Sequence, residues 1–186
     1  MQIAGLEQGR PKDGQGRCAQ ELACYDLLDR LQIDYLRADH TAAATMEDCQ
    51  AVEKALQGPI CKNLFLCNRQ KTQYYLLLMD GSKPFKTKFL SSQLGCARLS
   101  FAQPEDMERL LHTMPGSASA LSLLFDPDEL VQLVIDRSAL QQPFFGCHPC
   151  KNTTSLKLKR EDVLDKILPA LGHTPVFVDL PDEAKV

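Results

Sequence analysis

The chain has 186 residues, 44% of them hydrophobic and 24% charged, with a net charge of −3. These values suit one domain around one core and exclude the disordered and fibrous classes. No run approaches the ~18 apolar residues of a membrane-crossing helix, so no membrane partner is expected. An anionic partner would have to meet a local basic surface, because the whole is acidic.

Residues 1–17 hold four of the ten glycines together with Arg10, Lys12 and Arg17, and read as an irregular N-terminal arm. Leu22, Tyr25, Leu28 and Leu31 recur every three residues and predict a helix over 18–31. A strand over 33–38 follows. Thr45, with Asp48 three residues on, predicts the start of a second helix, which Gly58-Pro59 stops. Residues 61–67 and 72–79 read as two strands joined by a polar hairpin loop, and Asp80-Gly81 as a turn. A lysine-rich piece over 82–88 leads to a short helix ending at Gly95. Residues 97–102 predict a strand, and Pro104 opens a helix to His112. A small-residue loop over 113–120 precedes a strand at 130–135. Residues 144–148 and 154–159 predict paired strands around a Pro-containing loop. A helix over 160–171 ends at Gly172, and an edge strand begins at Pro175. Helices and strands mix without regular βαβ spacing. The expected fold class is therefore α/β in the α+β sense: one domain with a curved, mixed, largely antiparallel sheet and flanking helices.

The N-terminus is polar and carries no signal-like apolar run. Eight cysteines lie at 18, 24, 49, 61, 67, 96, 147 and 150 without a repeated spacing. Together these features predict a cytoplasmic protein whose thiols are reduced and mostly buried.

Three segments carry polar groups that chemistry can use. Lys62 opens the apolar strand Cys61-Lys62-Asn63-Leu64-Phe65-Leu66. It either snorkels to solvent as a strand-end lysine or meets an anionic or carbonyl partner. Pro115-Gly116-Ser117-Ala118-Ser119-Ala120 lets backbone N–H groups approach a ligand closely, or is an ordinary turn. Gly146-Cys147-His148-Pro149-Cys150-Lys151-Asn152-Thr153 admits a zinc reading, a polar substrate loop built on His148 and Asn152, or a structural His–Asn pair. Structural zinc needs four ligands and the second cluster is missing, so no metal is expected. A Cys/His nucleophilic site could draw on Cys147 or Cys61 with His148 or His40; nothing in the spacing selects one.

Taken in order, several stretches resemble the YbaK-like aminoacyl-tRNA deacylases, in particular their prolyl-tRNA editing branch of the ProX or PrdX type. They are Tyr25-Asp26-Leu27-Leu28, the run from Asp39 to Thr45, Cys61-Lys62-Asn63-Leu64-Phe65-Leu66, Pro115-Gly116-Ser117, His148-Pro149 with Asn152-Thr153, and Gly172-His173-Thr174-Pro175. The resemblance implies a deacylase domain over 18–186 that hydrolyses the ester of a mischarged tRNA of the proline type, alanyl-tRNA first and cysteinyl-tRNA as the alternative. An inactive tRNA- or synthetase-binding module of the same fold is the third reading, and prolyl-tRNA synthetase a possible partner. The resemblance implies Lys62 as the catalytic residue, with Asn63, Gly116, Ser117, His148 and Asn152 binding substrate, and no cofactor. The family's Gly-x-x-x-Pro loop falls on Gly116 to Ala120, so Ala120 stands where the family has proline and predicts a less rigid loop. Two lysine groups are candidates for gripping tRNA: Lys83, Lys86 and Lys88, and Lys151, Lys157 and Lys159.

Overall fold

The computed structural model describes residues 1–43 and 46–182. The predicted Thr45 start of the second helix lies outside the described residues. Helix α1 spans Ala19–Arg30 and buries Cys24, Tyr25, Leu27 and Leu28, with Leu22 and Leu31 packed at the margin of the same stripe. Strand β2 is Tyr35–Asp39, helix α2 Met46–Leu56, and β3 and β4 are Cys61–Cys67 and Tyr74–Asp80. Helix α3 covers Thr87–Leu94 and closes on Gly95 at φ +63°. The strand predicted over 97–102 shortens to β5, Ser100–Phe101. Helix α4 is Pro104–Leu111, and a 3₁₀ helix runs over Ala120–Phe125. Strand β6 is Val131–Asp136, β7 Phe144–Cys147, β8 Thr154–Lys159 and β9 Val176–Val178. The last helical stretch, Arg160–Ala170, is α-helical at both ends and π-helical over Val163–Ile167. Pro169 follows that wide turn; having no N–H, it cannot donate to the carbonyl one turn back.

The strands form two hydrogen-bonded parts. One is the antiparallel set β1-β2-β8-β7, where β1 is Glu7–Gln8. The other has the order β5-β3-β4-β6-β9, antiparallel around β3 and parallel from β4 to β6 to β9. β9 sits at the edge, where Pro175 deprives the ladder of nothing. β4 is central and buried on both faces. Its continuous run Tyr-Tyr-Leu-Leu-Leu-Met therefore feeds two clusters: Leu76 and Leu78 pack toward α1 and β8, and Leu77 and Met79 toward α3. Each leucine buried there contributes roughly 1.5–3 kcal/mol.

The two parts meet at one parallel bridge, Ile60 to Gly146. A Cβ at Gly146 would sit 2.5 Å from the Pro59 carbonyl oxygen and 3.0 Å from Ile60 Cα, so only glycine lets the strands approach this closely. Residues 1–17, expected as an irregular arm, are docked. Glu7–Gln8 pairs with β2, Ile3 bridges to His40, and the Arg17 guanidinium reaches Glu21, Asp39 and Thr154.

Candidate functional site

Side chains alternate along β3, and the neighbours of Ile60 identify the faces. Ile60 packs with Val52 and Leu56 of α2, so Lys62, two residues on, faces the α2 side. There a cleft of about 370 Å³ is lined by Cys49, Gln50 and Glu53 of α2, by Lys62, by Asp80 at the end of β4 and by Ser82 just beyond it. The Lys62 ammonium donates to the Lys83 carbonyl at 2.8 Å. The stem thus reaches the cleft while the charge is held at its rim.

The same face continues across the bridge. Two residues beyond Gly146 comes His148, as Lys62 comes two residues beyond Ile60, so alternation turns both to the same side. Next to it on β8 is Ser155, and beside that, at the end of β2, His40. Ser155 Oγ lies 3.2 Å from His148 Nδ1 and 2.9 Å from His40 Nε2. The tautomers follow from the carbonyls. His148 Nδ1 is 2.9 Å from the Thr154 carbonyl and His40 Nδ1 is 2.9 Å from the Thr41 carbonyl, so both carry the proton on Nδ1. Ser155 then accepts from His148 and donates to His40. Among the described residues no group bonds His148 Nε2, whose lone pair can accept from a ligand.

Burial holds the His148 imidazole below its ordinary value, and nearby His40 adds to this, while the hydrogen bond to Thr154 opposes it. His148 is therefore a neutral acceptor near pH 7. The linkage has a definite sign. Above 6.5 the ring is neutral in both states. As pH falls below 6.5 the unfolded chain takes the proton first, so stability declines toward the depressed folded value. Thermal melts between pH 8 and 5.5 should fall less steeply for His148→Asn than for the wild type. Equal slopes would show that the ring titrates normally.

The loops over 113–120 and 148–153 are tied to each other by their hydroxyls and carbonyls. Ser119 Oγ donates to the His148 carbonyl at 2.6 Å, and Thr113 Oγ1 to that of Cys150 at 3.2 Å. Gly116 takes φ +80°, and a Cβ there would lie 3.7 Å from the Asn152 amide. The loop of Gly116 and Ser117 thus packs against the loop of His148 and Asn152, through the Asn152 amide and the His148 carbonyl. Ala120 is the first residue of the 3₁₀ helix, just after an extended Ser119 whose capping box with Ser122 fixes the turn. Hydrogen bonds hold the position that proline would stiffen.

Asn63 is not in this group. It faces the other side of β3 from Lys62 and lines a void of about 10 Å³ with Cys61, Ala120 and Cys147. Its amide donates to the Cys61 carbonyl, and Oδ1 is buried without a partner. The lysine groups also divide. The Lys83 ammonium is 2.7 Å from the buried carboxylate of Asp136, which removes it from any phosphate grip. Lys86, Lys88, Lys151 and Lys159 are exposed. All eight cysteines are free thiols. Burial pushes the Cys61 thiol up to about 12 and raises Cys147 too, which makes both poor nucleophiles near neutral pH. Among the described residues no three His, Cys, Asp or Glu side chains converge as metal ligands would. Sequence reading passed over Ser155. Its only signal is alternation along β8, which cannot say which histidines stand opposite.

Residues 40–166 match the family model described as the aminoacyl-tRNA editing domain. The prolyl-tRNA editing protein ProX of Acetoanaerobium sticklandii is 30% identical over 153 residues, covering 82% of this chain and 93% of its own. The prolyl-tRNA synthetase associated domain-containing protein 1 of Mus musculus is 30% identical over 147 residues, covering 76% and 85%. The Danio rerio protein of the same name is 28% identical over 155 residues, covering 82% and 83%. A solved structure of a candidate trans-editing enzyme for prolyl tRNA synthetase superposes with a TM-score of 0.64 at 16% identity, covering 88% of this chain and 97% of that one. That likeness is one of fold.

Proposed function

The chain belongs to the aminoacyl-tRNA editing domain family, and from that premise we propose that it hydrolyses the ester of alanine wrongly attached to tRNA of the proline type. The observation that carries the reading is the hydrogen-bonded set His148, Ser155 and His40 on the same side of the molecule as Lys62, inside the matched segment. An aminoacyl ester is activated, so a positioned water and a stabilised oxyanion are enough. Water adds to the carbonyl carbon, the bond to the ribose oxygen breaks, the ribose hydroxyl regains a proton and free alanine leaves. The Lys62 ammonium balances the negative charge of the tetrahedral state or of the terminal phosphate. His148 Nε2 accepts a hydrogen bond from the water or from the substrate's amine. The ribose hydroxyl next to the ester assists.

Selection is by size. Missing methylenes are worth only ~1–3 kcal/mol to a synthetase, so alanine slips past a site built for proline. A second sieve whose pocket takes a methyl group and refuses a pyrrolidine ring would take alanine over proline. Alanyl-tRNA of the proline type should be deacylated on the order of 10–200-fold faster than prolyl-tRNA in single turnover. Equal rates would sink the editing reading. A faster cysteinyl substrate would keep editing and change the amino acid, and no hydrolysis of any ester would leave a binding module.

A further inference from the structure

We propose that Phe144, flanked by Lys157 and Lys159, is a stacking platform for a nucleotide of the single-stranded 3′ end of tRNA, upstream of the reacting terminus. The proposal rests on the reading above that the substrate is a tRNA. β7 and β8 are paired in register, Phe144 with Lys159 and Gly146 with Lys157. Residues 144, 146 and 148 of one strand and 155, 157 and 159 of the other alternate onto the same face. That face already carries His148 and Ser155. Phe144 lies four residues from His148, about 13 Å along the strand. Between them the connector over residues 57–60 lies over Gly146 and Lys157, so a strand of nucleic acid whose end sits at His148 reaches Phe144 across that connector rather than along the bare sheet.

The residues along that path have the needed chemistry. Phe144 is half-buried and belongs to none of the apolar clusters of the described residues. A core role does not account for an aromatic ring here. The Lys157 ammonium stands 4.3 Å from the ring centroid and donates to the Gln57 carbonyl at 2.8 Å. Its stem crosses Gly58, where an added Cβ would meet Lys157 Cε at 3.4 Å. The cation is thus held against the ring by backbone rather than left to sweep solvent. Lys159 is exposed beside it, and both lysines and Phe144 line a groove of about 200 Å³ shared with Gln8 and Leu36. Asp34, just before β2, is the one carboxylate of that lining. Aromatic faces next to fixed cations bind single strands without regard to sequence, because every base has a π-face and every linkage a charge. The chain is acidic overall, so these lysines give a local attraction that its net charge does not.

The test is equilibrium binding of two RNAs, uncharged tRNA of the proline type and the same tRNA trimmed of its last three nucleotides. The wild type should bind the intact form more tightly. Phe144→Leu should lose roughly 5–150-fold on the intact form and nothing on the trimmed one, while Phe144→Tyr keeps the preference. Replacing Lys157 and Lys159 by Gln should flatten the log–log salt slope by about 1.4, two phosphates at ~0.7 each. A wild type that binds both RNAs alike, or a folded Phe144→Leu that loses nothing or loses equally on both, overturns the platform. Binding that follows the expected pattern without any ester hydrolysis would keep the platform and refute the enzymatic reading.

Discussion

Lys62→Ala should slow alanyl-tRNA hydrolysis by about 10²–10³-fold while leaving the fold intact, the range for deleting one preorganised electrostatic donor. Lys62 opens β3 opposite Met79, and its backbone is held by that ladder whatever its side chain. The side chain contributes one hydrogen bond to the Lys83 carbonyl, whose loss costs only about 1 kcal/mol. The loss of activity and the loss of stability therefore separate. Lys62→Arg should also be impaired. A planar fork is wider than an ammonium, and the cleft wall is set by α2 through the Glu53 carboxylate, which accepts from the Ile60 N–H at 3.0 Å. Single-turnover deacylation and a thermal melt of each variant decide the matter. A folded Lys62→Ala protein with a near wild-type rate would place the reacting ester elsewhere on the molecule.

Arg17→Ala should cost about 3–5 kcal/mol of folding stability, read from urea unfolding, because it leaves the buried Glu21 carboxylate without its cation and takes the strongest partner from half-buried Asp39. The Arg17 guanidinium donates to Glu21 at 2.7 Å, to both oxygens of Asp39 at 2.7 and 2.6 Å, and to Thr154 Oγ1 at 2.8 Å. The Glu21 side chain is only 2% exposed, so its charge has no water to fall back on. Burial pushes the Asp39 carboxyl up, but the bonds from Arg17 and Thr154, with the charge of Arg37, outweigh it and hold the group at about 2. That part of the stability is present above the ordinary value of 3.8 and is lost as pH falls toward 2. In the variant, acid unfolding should therefore begin at higher pH. The consequence reaches the site, since Thr154 bonds Asp39 through its hydroxyl and His148 through its carbonyl. Arg17→Lys should fall between the two, one ammonium being unable to span both carboxylates. A change under 1 kcal/mol for Arg17→Ala would reduce the cluster to a surface ion pair.

Periodicity alone located most of the fold. The three-residue spacing of Leu22, Tyr25, Leu28 and Leu31 marks α1, and the unbroken apolar run of β4 marks a strand covered on both faces. Gly95, Pro104 and Pro175 mark the element ends where backbone sterics permit few alternatives. These are local properties, written within one or two turns of chain. Lys62, His148, Gly116 and Asn152 stood out for similar reasons: polar or conformationally free residues beside apolar strands and in tight loops. The grouping was not legible. That Asn63 and Lys62 take opposite faces follows from strand alternation, but which of the two faces the cleft depends on the neighbours of Ile60. Whether Lys83 is free depends on Asp136, 53 residues away. The role of Arg17 depends on Asp39 and Thr154, 22 and 137 residues away. The sequence by itself determined the elements, their order and the residue types able to do chemistry. Only the tertiary structure decided which of them meet, because register between distant strands is set by the packing of the whole core, and a charge finds its partner through that register rather than through its neighbours in the chain.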